Sequence, residues 1–377
     1  MNNKISFLYL NEQDMIQAGV DNMDKCIEAE EDMFVALNVG DYRMGGEGAN
    51  DHGSRVSFPK TSDIPGMPLS APDYRIGAMP AYLGGRFHMA GIKVYGSHHT
   101  NAQKGLPRSI LMMTLLDVDT GAPIAYMSAN ILSAMRTGAV AGIGAKYLSI
   151  DKPEVVTIVG PGVMSTYALK AMMLVRDSIK TLNVVGLDED STKAFIDKAM
   201  ETYPTLEKGV CCSSIKEACH DSDIVFFGTS NSAKYEDNPK VERSWLKKGA
   251  LVISISALQA PIDFLADPEV KLIADNYKMY EDWGKGNEYP TQRTVSTLLG
   301  MGYYDAVIRG NIERSSIKNI GSIISDNKNF FRDDNQIVVF AVGGMPVEDV
   351  AWAHDCYAKA TQMNIGTELL LWEEPAL

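Results

Sequence analysis

Cysteine is scarce and unpatterned in this sequence. The chain has five cysteines and no CxxC pair, so it lacks the framework of a disulfide-stapled secreted protein. It also lacks a surplus of positive charge. The formal net charge of −13 argues against nucleic acid or an anionic membrane surface as the main partner. We therefore expect a reduced, cytoplasmic protein without a nucleic-acid partner.

Long uninterrupted apolar runs are absent as well. The most apolar long window, residues 129–145, contains Arg136, so we interpret it as a buried helix rather than a membrane span. The first residues show no basic stretch followed by a long apolar core, as a signal peptide would. Cys219 and His220 are adjacent, but no second pair of ligands lies at zinc spacing. We expect no membrane association and no metal site.

The clearest pattern that is present is a strand, a glycine turn and a helix. Apolar residues 155–159 stop at Gly160-Pro161-Gly162, and a helical pattern over residues 163–176 starts at once. Unpaired backbone N–H groups and a helix N-terminus then meet at one point, which favours the negative charge of a pyrophosphate. A second strand follows over residues 181–186. The order predicts a dinucleotide-binding fold.

The end of that second strand distinguishes NAD from NADP. An acidic side chain there binds the ribose hydroxyls and repels a 2′-phosphate. Gly186 stands where the acid often stands, and Asp188 follows two residues later with no arginine nearby. We predict NAD, with NADP possible. Asp188 is expected to contact the ribose, and the alternative for it is a role at a helix N-terminus.

Other strand ends should also line the cofactor crevice, because ligands of open α/β sheets bind outside the carboxyl ends of the strands. The predicted cofactor-binding residues are Gly160, Pro161, Gly162, Val163, Met164, Ser165, Asp188, Thr229, Ser230, Asn231, Val342 and Gly343.

The order of elements predicts an α/β protein. Before residue 130 we predict strands at 4–10, 54–59, 75–82, 88–95, 109–117 and 124–128, a helix or helix pair over 12–37, and a mobile glycine-rich loop over 38–53. Beyond it, strands alternate with helices, which indicates a doubly wound parallel sheet of the Rossmann type. A last helix over residues 347–363 leaves the nucleotide-binding region.

Several segments together resemble the ornithine cyclodeaminase/mu-crystallin family. They are Ser54-Arg55-Val56, Ile92-Lys93 and residues 117–123, 131–139, 160–165 and 339–349. The most specific part is the run around Arg136 with the glycine turn 24 residues later. The resemblance implies a Rossmann NAD(P)-binding domain at residues 138–342. It also implies an α+β domain for substrate binding and homodimerisation, formed by residues 1–137 with 343–377.

The resemblance further implies that Arg55, Lys93 and Arg136 bind the carboxylate of a small amino-acid or imino-acid substrate. The physical logic agrees, because three cations buried together would be costly without an anion between them. Arg43 competes with Arg55 for this role, since both lie near the glycine-rich loop.

Two departures from the cyclodeaminases bear on the reaction. Gly77 stands where they have a glutamate, and residues 256–261 contain no carboxylate where they carry a catalytic aspartate. We therefore predict an NAD(P)-dependent oxidoreductase acting on the C–N bond of an amino or imino acid, of the imine reductase or amino acid dehydrogenase type. The candidate catalytic residues are Lys93, His98 and Asp263, and the candidate proton carriers are His98, with His99 beside it, and Asp263.

Two alternatives remain open. One is deaminating cyclisation of a diamino acid, as in ornithine cyclodeaminase, with the cofactor recycled within each turnover. The other is a non-catalytic NAD(P)-binding protein or accessory subunit, as mu-crystallin-like members suggest.

Overall fold

The structure, a computed structural model, describes residues 3–71, 73–230, 232, 234–326 and 333–376. The strands are β1 (Ile5–Leu10), β2 (Tyr42–Met44), β3 (Ser54–Val56), β4 (Arg75–Leu83), β5 (Met89–Ser97), β6 (Ser109–Leu116), β7 (Pro123–Ser128), β8 (Val155–Val159), β9 (Thr181–Val185), β10 (Lys208–Cys211), β11 (Ile224–Phe227), β12 (Leu251–Ser254), β13 (Val270–Ala274), β14 (Ile317–Asn319), β15 (Ile337–Ala341) and β16 (Thr367–Trp372). The helices are α1 (Glu12–Gln17), α2 (Met23–Asn38), α3 (Asn130–Leu148), α4 (Val163–Val175), α5 (Glu189–Thr202), α6 (Ile215–Cys219), α7 (Ile262–Leu265), α8 (Tyr277–Gly284), α9 (Thr291–Thr294), α10 (Leu299–Ile308), α11 (Ile320–Ser325) and α12 (Pro346–Met363).

The chain divides into two compact units. The first consists of Met1–Arg136 with Met345–Leu377, and the second of Thr137–Gly344. Helix α3 begins in the first unit at Asn130 and continues into the second.

The first unit is built on a mixed sheet with the strand order β16-β1-β7-β6-β5-β4-β2, in which β3 also pairs with β4. Strand β1 runs parallel to β7, whereas the other neighbours are antiparallel. Side chains of a strand alternate between the faces, so β4 buries every second residue from Gly77 to Leu83. Helix α12 packs on this buried face, where Val350 lies against Gly91.

The second unit is built on a parallel sheet with the order β10-β9-β8-β11-β12-β15-β13-β14. Its central strands β11, β12 and β15 are buried along their whole length, which explains their unbroken apolar sequences. Strand β8 pairs with β9 on one side and β11 on the other, so the strand order reverses there. In such sheets the ligand crevice lies beyond the carboxyl ends of the strands at this point. The predicted α/β class with a Rossmann-type sheet and an α+β part is confirmed.

Two local predictions were wrong, and an edge strand was missed. The stretch predicted as a mobile loop, residues 38–53, contains β2, whose register places Tyr42 opposite Leu83. Strand β3 ends at Val56 instead of residue 59. Strand β16 was not predicted at all, although its antiparallel pairing with β1 extends the sheet by one strand. These strands are short or at an edge, so pairing rather than local pattern decides them.

None of the helices in the described ranges is both long enough and apolar enough to cross a bilayer.

Candidate active site

The glycine turn after β8 has the geometry that a bound pyrophosphate requires. Gly160 adopts φ +87°, and a side chain there would lie 2.8 Å from the methyl carbon of Thr229 at the end of β11. The buried Ser165 hydroxyl donates to the Gly160 carbonyl at 2.6 Å and so fixes the turn. Gly162 is the N-cap of α4 and faces open space. The N–H groups of Gly160 and Gly162 are bonded to the carbonyls of Val185 and Gly160, so the donors open to an anion are those of the first turn of α4.

The other predicted residues of the turn, Pro161, Val163 and Met164, lie at the start of α4 and are at least partly exposed. Val163 is 66% exposed at the first position of α4, while Pro161 and Met164 are half-buried. All three lie beside the N-terminus of the helix, where a dinucleotide phosphate would be held.

The end of β9 explains why an acid is displaced from its usual position. A side chain at Gly186 would collide with Thr192 and Pro161, so no acid fits there. Asp188 is exposed and accepts a hydrogen bond from the Ser191 backbone at 2.7 Å, which lowers the pKa of its carboxyl. Helix capping thus occupies one of its oxygens and leaves the group ionised at the crevice edge.

Hydrogen bonds of polar groups fix the ends of β11, β12 and β15. The Thr229 N–H donates to the hydroxyl of Ser256 at 3.2 Å, which joins the ends of β11 and β12. Asp275, 2% exposed, accepts the N–H of Gly343 at 2.6 Å and thereby fixes the turn after β15. Val342 precedes this turn and is buried. Ser230 is exposed, and Asn231 lies outside the described residues.

A buried ion network lies in the first unit. Lys93 of β5 donates from Nζ to Asp349 Oδ2 at 2.6 Å, and Arg136 of α3 donates from Nε to Asp349 Oδ1 at 3.1 Å. The Arg136 Nη1 group donates to Glu348 Oε2 at 2.5 Å. Lys93 also donates to the hydroxyl of Ser133 at 3.2 Å. All four charged side chains are less than 10% exposed, so the two cations are compensated by carboxylates of the first turn of α12.

This environment changes the acidity of the two cations differently. Burial, helped by the Arg136 charge, lowers the pKa of Lys93 to about 8, although Asp349 opposes the change. Burial also acts against the charge of Arg136, but Asp349 and Glu348 outweigh it and raise the pKa of the guanidinium. Lys93 can therefore exchange a proton near neutral pH, whereas Arg136 remains a permanent cation.

Glu30 of α2 is a further buried group beside the network. It is fully buried, and neither of its oxygens has a hydrogen-bond partner among the described residues. Burial, followed by the charge of Glu348, raises the pKa of its carboxyl well above the usual range. The raised pKa favours the neutral acid, with which the network holds two cations and two carboxylates.

Arg55 is not part of this network. It lies on β3 opposite Gly77 and is exposed. The register places Arg55 on the same face of the sheet as Lys93, because Gly77 and Met79 alternate regularly along β4 and Met79 is the partner of Lys93. Arg43 is opposite Tyr82 and so lies on the other face. The geometry favours Arg55 over Arg43 as a ligand group.

Residues 20–364 match the ornithine cyclodeaminase/mu-crystallin family. The chain belongs to this family.

Curated and solved relatives agree with the assignment. N-((2S)-2-amino-2-carboxyethyl)-L-glutamate dehydrogenase of Staphylococcus aureus is 30% identical over 300 residues, which is 79% of this chain and 82% of the relative. The structure of Thermococcus litoralis Δ1-pyrroline-2-carboxylate reductase in complex with NADH and L-proline matches with a TM-score of 0.74 and 23% identity, covering 96% of this chain and all of that one. An archaeal alanine dehydrogenase dimer with bound NAD matches with a TM-score of 0.75 and 23% identity, covering 98% and 100%.

The other predicted catalytic residues of this family member, His98 and Asp263, belong to different units of the chain. His98 follows β5, five residues beyond Lys93, which corresponds to roughly 17 Å of extended chain. Its Nδ1 accepts the Thr100 N–H at 3.2 Å, and its ring stacks on His99. Asp263 is exposed in the short helix α7 of the second unit. Within the first unit, Asp349 and Ser133 share hydrogen bonds with Lys93, and His98 shares no described hydrogen bond with it.

Sequence reasoning missed Glu348, Asp349, Asp275 and Glu30. The first two give no local signal, because acids in the first turn of a helix are usually exposed and only the packing of α12 buries them. Glu30 sits in a helix with several exposed acids and gives no signal either. In the described part of the chain, no group of three or more His, Cys, Asp or Glu side chains is arranged to hold a metal ion.

Proposed function

We propose that this protein is an NAD-dependent oxidoreductase that acts on the C–N bond of a small amino or imino acid. The observation that carries the proposal is the buried network of Lys93, Arg136, Asp349 and Glu348 in a chain that also has a pyrophosphate turn. The names of the relatives support it, since they are dehydrogenases and a reductase of amino or imino acids.

Arg136 is assigned to the substrate carboxylate. Its guanidinium has five N–H donors, of which Nε donates to Asp349, one on Nη1 donates to Glu348, and one on Nη2 donates to the Ser133 hydroxyl at 3.5 Å. A planar guanidinium fixed in this way offers its remaining donors to a carboxylate in a defined geometry. The permanent charge of Arg136 makes this interaction independent of pH in the physiological range.

Lys93 is assigned to proton transfer at the substrate nitrogen. Its pKa of about 8 allows it to give or take a proton near neutral pH. Asp349 and Ser133 hold the ammonium group in one orientation. In the reductive direction an imine gains a hydride at carbon and a proton at nitrogen. NADH, held at the turn of Gly160 and the N-terminus of α4, would supply the hydride, and Lys93 would supply the proton.

NAD fits the second unit better than NADP. The turn at Gly160 and the open N-terminus of α4 suit the pyrophosphate. The chain beyond β9 presents Asp188, and the nearby Lys193 is paired with Glu189 at 2.5 Å, an arrangement that favours ribose hydroxyls over a 2′-phosphate. We expect NADH to bind at least about 10-fold more tightly than NADPH.

A homodimer in the cytoplasm is also proposed. The sheet face opposite α12 exposes apolar side chains in neighbouring strands, with Ile76, Val94 and Ile110 between 36% and 44% exposed. Such a face suits a second copy of the chain. All five cysteines are free, and four of them are buried, which suits a reducing compartment.

The test is a turnover assay of the purified protein with NADH. Cyclic imines, and 2-oxo acids combined with ammonia or amines, would be screened for NADH oxidation. We expect turnover of at least one carboxylate-bearing imine, and loss of it in Arg136→Met. Tight NADH binding without turnover across the panel would instead indicate a non-catalytic binding protein.

A further inference from the structure

Asp275 is a buried acid at the carboxyl edge of the parallel sheet in the second unit. It directly follows β13, whose last residue, Ala274, is opposite Ala341 at the end of β15. The Asp275 N–H donates to the Ala341 carbonyl at 3.1 Å, so the backbone also joins the two strand ends. The residue is 2% exposed. Its carboxyl group is therefore held beneath the surface at the point where β15 ends.

Both oxygens of this carboxyl group act as acceptors. Oδ2 accepts the N–H of Gly343 at 2.6 Å and the N–H of Gly344 at 3.3 Å. Oδ1 accepts the N–H of Asn276 at 2.7 Å and the hydroxyl of Tyr280 at 3.1 Å. Backbone N–H groups can only donate, so this arrangement favours the ionised carboxylate. Burial raises the pKa of Asp275, and these hydrogen bonds oppose that effect.

The charge of Asp275 is held by neutral groups. Its four donors are three backbone N–H groups and a hydroxyl, and it forms no ion pair with a lysine or arginine in the described part of the chain. Asp223 in the same unit is also buried, but it pairs with Lys247 at 2.6 Å. A buried carboxylate without a cation favours a positive charge that comes to lie near it.

The turn that Asp275 holds, residues 342–344, is also packed against α8. A side chain at Gly343 would collide with the methyl group of Met279 and would lie 2.9 Å from the Tyr280 hydroxyl. Tyr280 is itself fully buried, with its ring against Gly300. The turn therefore has one preformed position at the end of β15, and no ordering is required when a ligand binds to it.

The strand order indicates which half of a dinucleotide this turn would meet. The pyrophosphate fits the turn after β8, and Asp188 after β9 suits the adenosine ribose, so the adenosine half would extend over β9 and β10. The nicotinamide half would then lie on the other side of β8, over the ends of β11, β12 and β15. Val342 and Gly343 directly follow β15.

We propose that Asp275 is a positioning residue for the nicotinamide half of the cofactor and that it favours the oxidised form. It acts through the turn after β15, which it holds by two N–H groups, and through its negative charge, because the nicotinamide ring is positive in oxidised NAD and neutral in NADH. The inference rests on the cofactor binding of the proposed function. It adds that an acid after β13, outside the glycine turn, sets the balance between the two redox forms.

The test compares three ligands by calorimetric titration: oxidised NAD, NADH, and ADP-ribose, which lacks the nicotinamide. For Asp275→Asn we expect the affinity for ADP-ribose to stay within about 2-fold, that for NADH to fall about 3–10-fold, and that for oxidised NAD to fall about 10–50-fold. Equal losses for all three ligands would show a purely structural role. Equal losses for the two dinucleotides would show that the charge does not distinguish them. Either result would overturn the proposal.

Gly343→Val separates the position of the turn from the charge. A branched side chain does not fit against Met279 and Tyr280, so the turn must move while the carboxylate remains. The affinities for oxidised NAD and NADH should then fall by the same factor, about 10-fold, and that for ADP-ribose should not change. Unchanged NADH affinity in Gly343→Val would overturn the proposal even if Asp275→Asn did not fold.

Asp223→Asn is the matched control. Asp223 is 3% exposed and accepts the N–H groups of Glu154 and Val155 at 2.8 and 2.9 Å, but it lies at the amino ends of the strands. Its substitution should leave the three affinities in their original ratios. A shift toward NADH in this variant as large as in Asp275→Asn would refute a local effect of Asp275.

Binding also separates this inference from the proposed function. If the unaltered protein bound neither ADP-ribose nor NADH, the cofactor assignment itself would fail. If it bound both, and Asp275→Asn changed no ratio of affinities, only the role of Asp275 would be refuted.

Discussion

The two candidate binding regions of this chain use different chemical groups: one uses backbone groups and the other uses charged side chains. The pyrophosphate turn of the second unit consists of backbone groups from one continuous segment, Gly160 to Ser165, with a single hydroxyl that closes it. The ion network of the first unit consists of charged side chains that lie 43 residues apart, from Lys93 to Arg136, and 212 residues apart, from Arg136 to Glu348. The first binds by leaving donors open, and the second by holding charges in place.

This difference should determine whether a substitution in each region mainly lowers ligand binding or mainly lowers the free energy of unfolding. A turn made of backbone loses function when a side chain blocks it, with modest effects on folding. A buried network loses stability when one member is removed, because the charges left behind are no longer compensated. The predictions below test this contrast, from the largest expected effect to the smallest.

Arg136→Ala is expected to be the most damaging substitution. It leaves Glu348 and Asp349 buried with Lys93 as the only remaining cation of the network. Removing one partner of a buried pair lowers the free energy of unfolding by about 3–5 kcal/mol. Loss of the carboxylate ligand should reduce kcat/KM by about 100-fold or more. Urea denaturation and steady-state kinetics measure the two effects separately.

Arg86→Ala is the matched control for that substitution. Arg86 also pairs with two carboxylates, Asp355 at 2.7 Å and Asp32 at 2.6 Å, but its side chain is 41% exposed. We expect a loss of about 1 kcal/mol or less and unchanged turnover. If both alanine variants lowered the free energy of unfolding equally, burial would not explain the large effect expected for Arg136→Ala.

The glycine turn should separate stability from cofactor binding. Gly160→Ala introduces a side chain at φ +87° and 2.8 Å from Thr229, so we expect a loss of about 1–3 kcal/mol in the free energy of unfolding. Gly162→Ala meets nothing within 4 Å and should change stability by less than about 0.5 kcal/mol. Its methyl group would nevertheless face the pyrophosphate, so NADH affinity should fall about 10-fold.

Thermal unfolding and NADH titration of both glycine variants check this prediction. A Gly162→Ala protein that bound NADH normally would place the pyrophosphate elsewhere. Such a result would leave the fold assignment intact, because that depends on strand order.

The same contrast explains what could be predicted from the sequence. The pyrophosphate turn was predictable, since strand, glycine turn and helix are adjacent in the chain and each has a local signal. The roles of Glu348 and Asp349 were not, because they depend on where α12 packs. The argument that buried cations imply a substrate anion was also incomplete, since α12 itself supplies the anions. Likewise, only the strand register shows that Arg55 and Arg43 point to opposite faces.

The pH dependence of turnover tests the assignment of Lys93. In reduction Lys93 must be protonated to supply its proton, so kcat/KM should be constant below its pKa and fall as the pH rises through about 8. The decrease should approach about 10-fold per pH unit above that value. In oxidation the profile should be reversed. Lys93→Met should be far slower and lack this transition, so a transition that persisted in the variant would assign the titrating group elsewhere.

Glu30→Gln should have the smallest effect near pH 4.5, where the native carboxyl is also neutral, and it tests whether the charges of the network balance. Burial raises the folded-state pKa of Glu30, so the folded protein retains a proton that the unfolded chain loses above about pH 4.5. The stability of the unaltered protein should therefore fall relative to Glu30→Gln as the pH rises above that point, by about 1 kcal/mol per unit. Glu28→Gln, an exposed position on α2, should show no such trend. If the difference in the free energy of unfolding between Glu30→Gln and the unaltered protein did not change with pH, Glu30 would be ionised in the folded protein. The network would then hold three carboxylates against two cations.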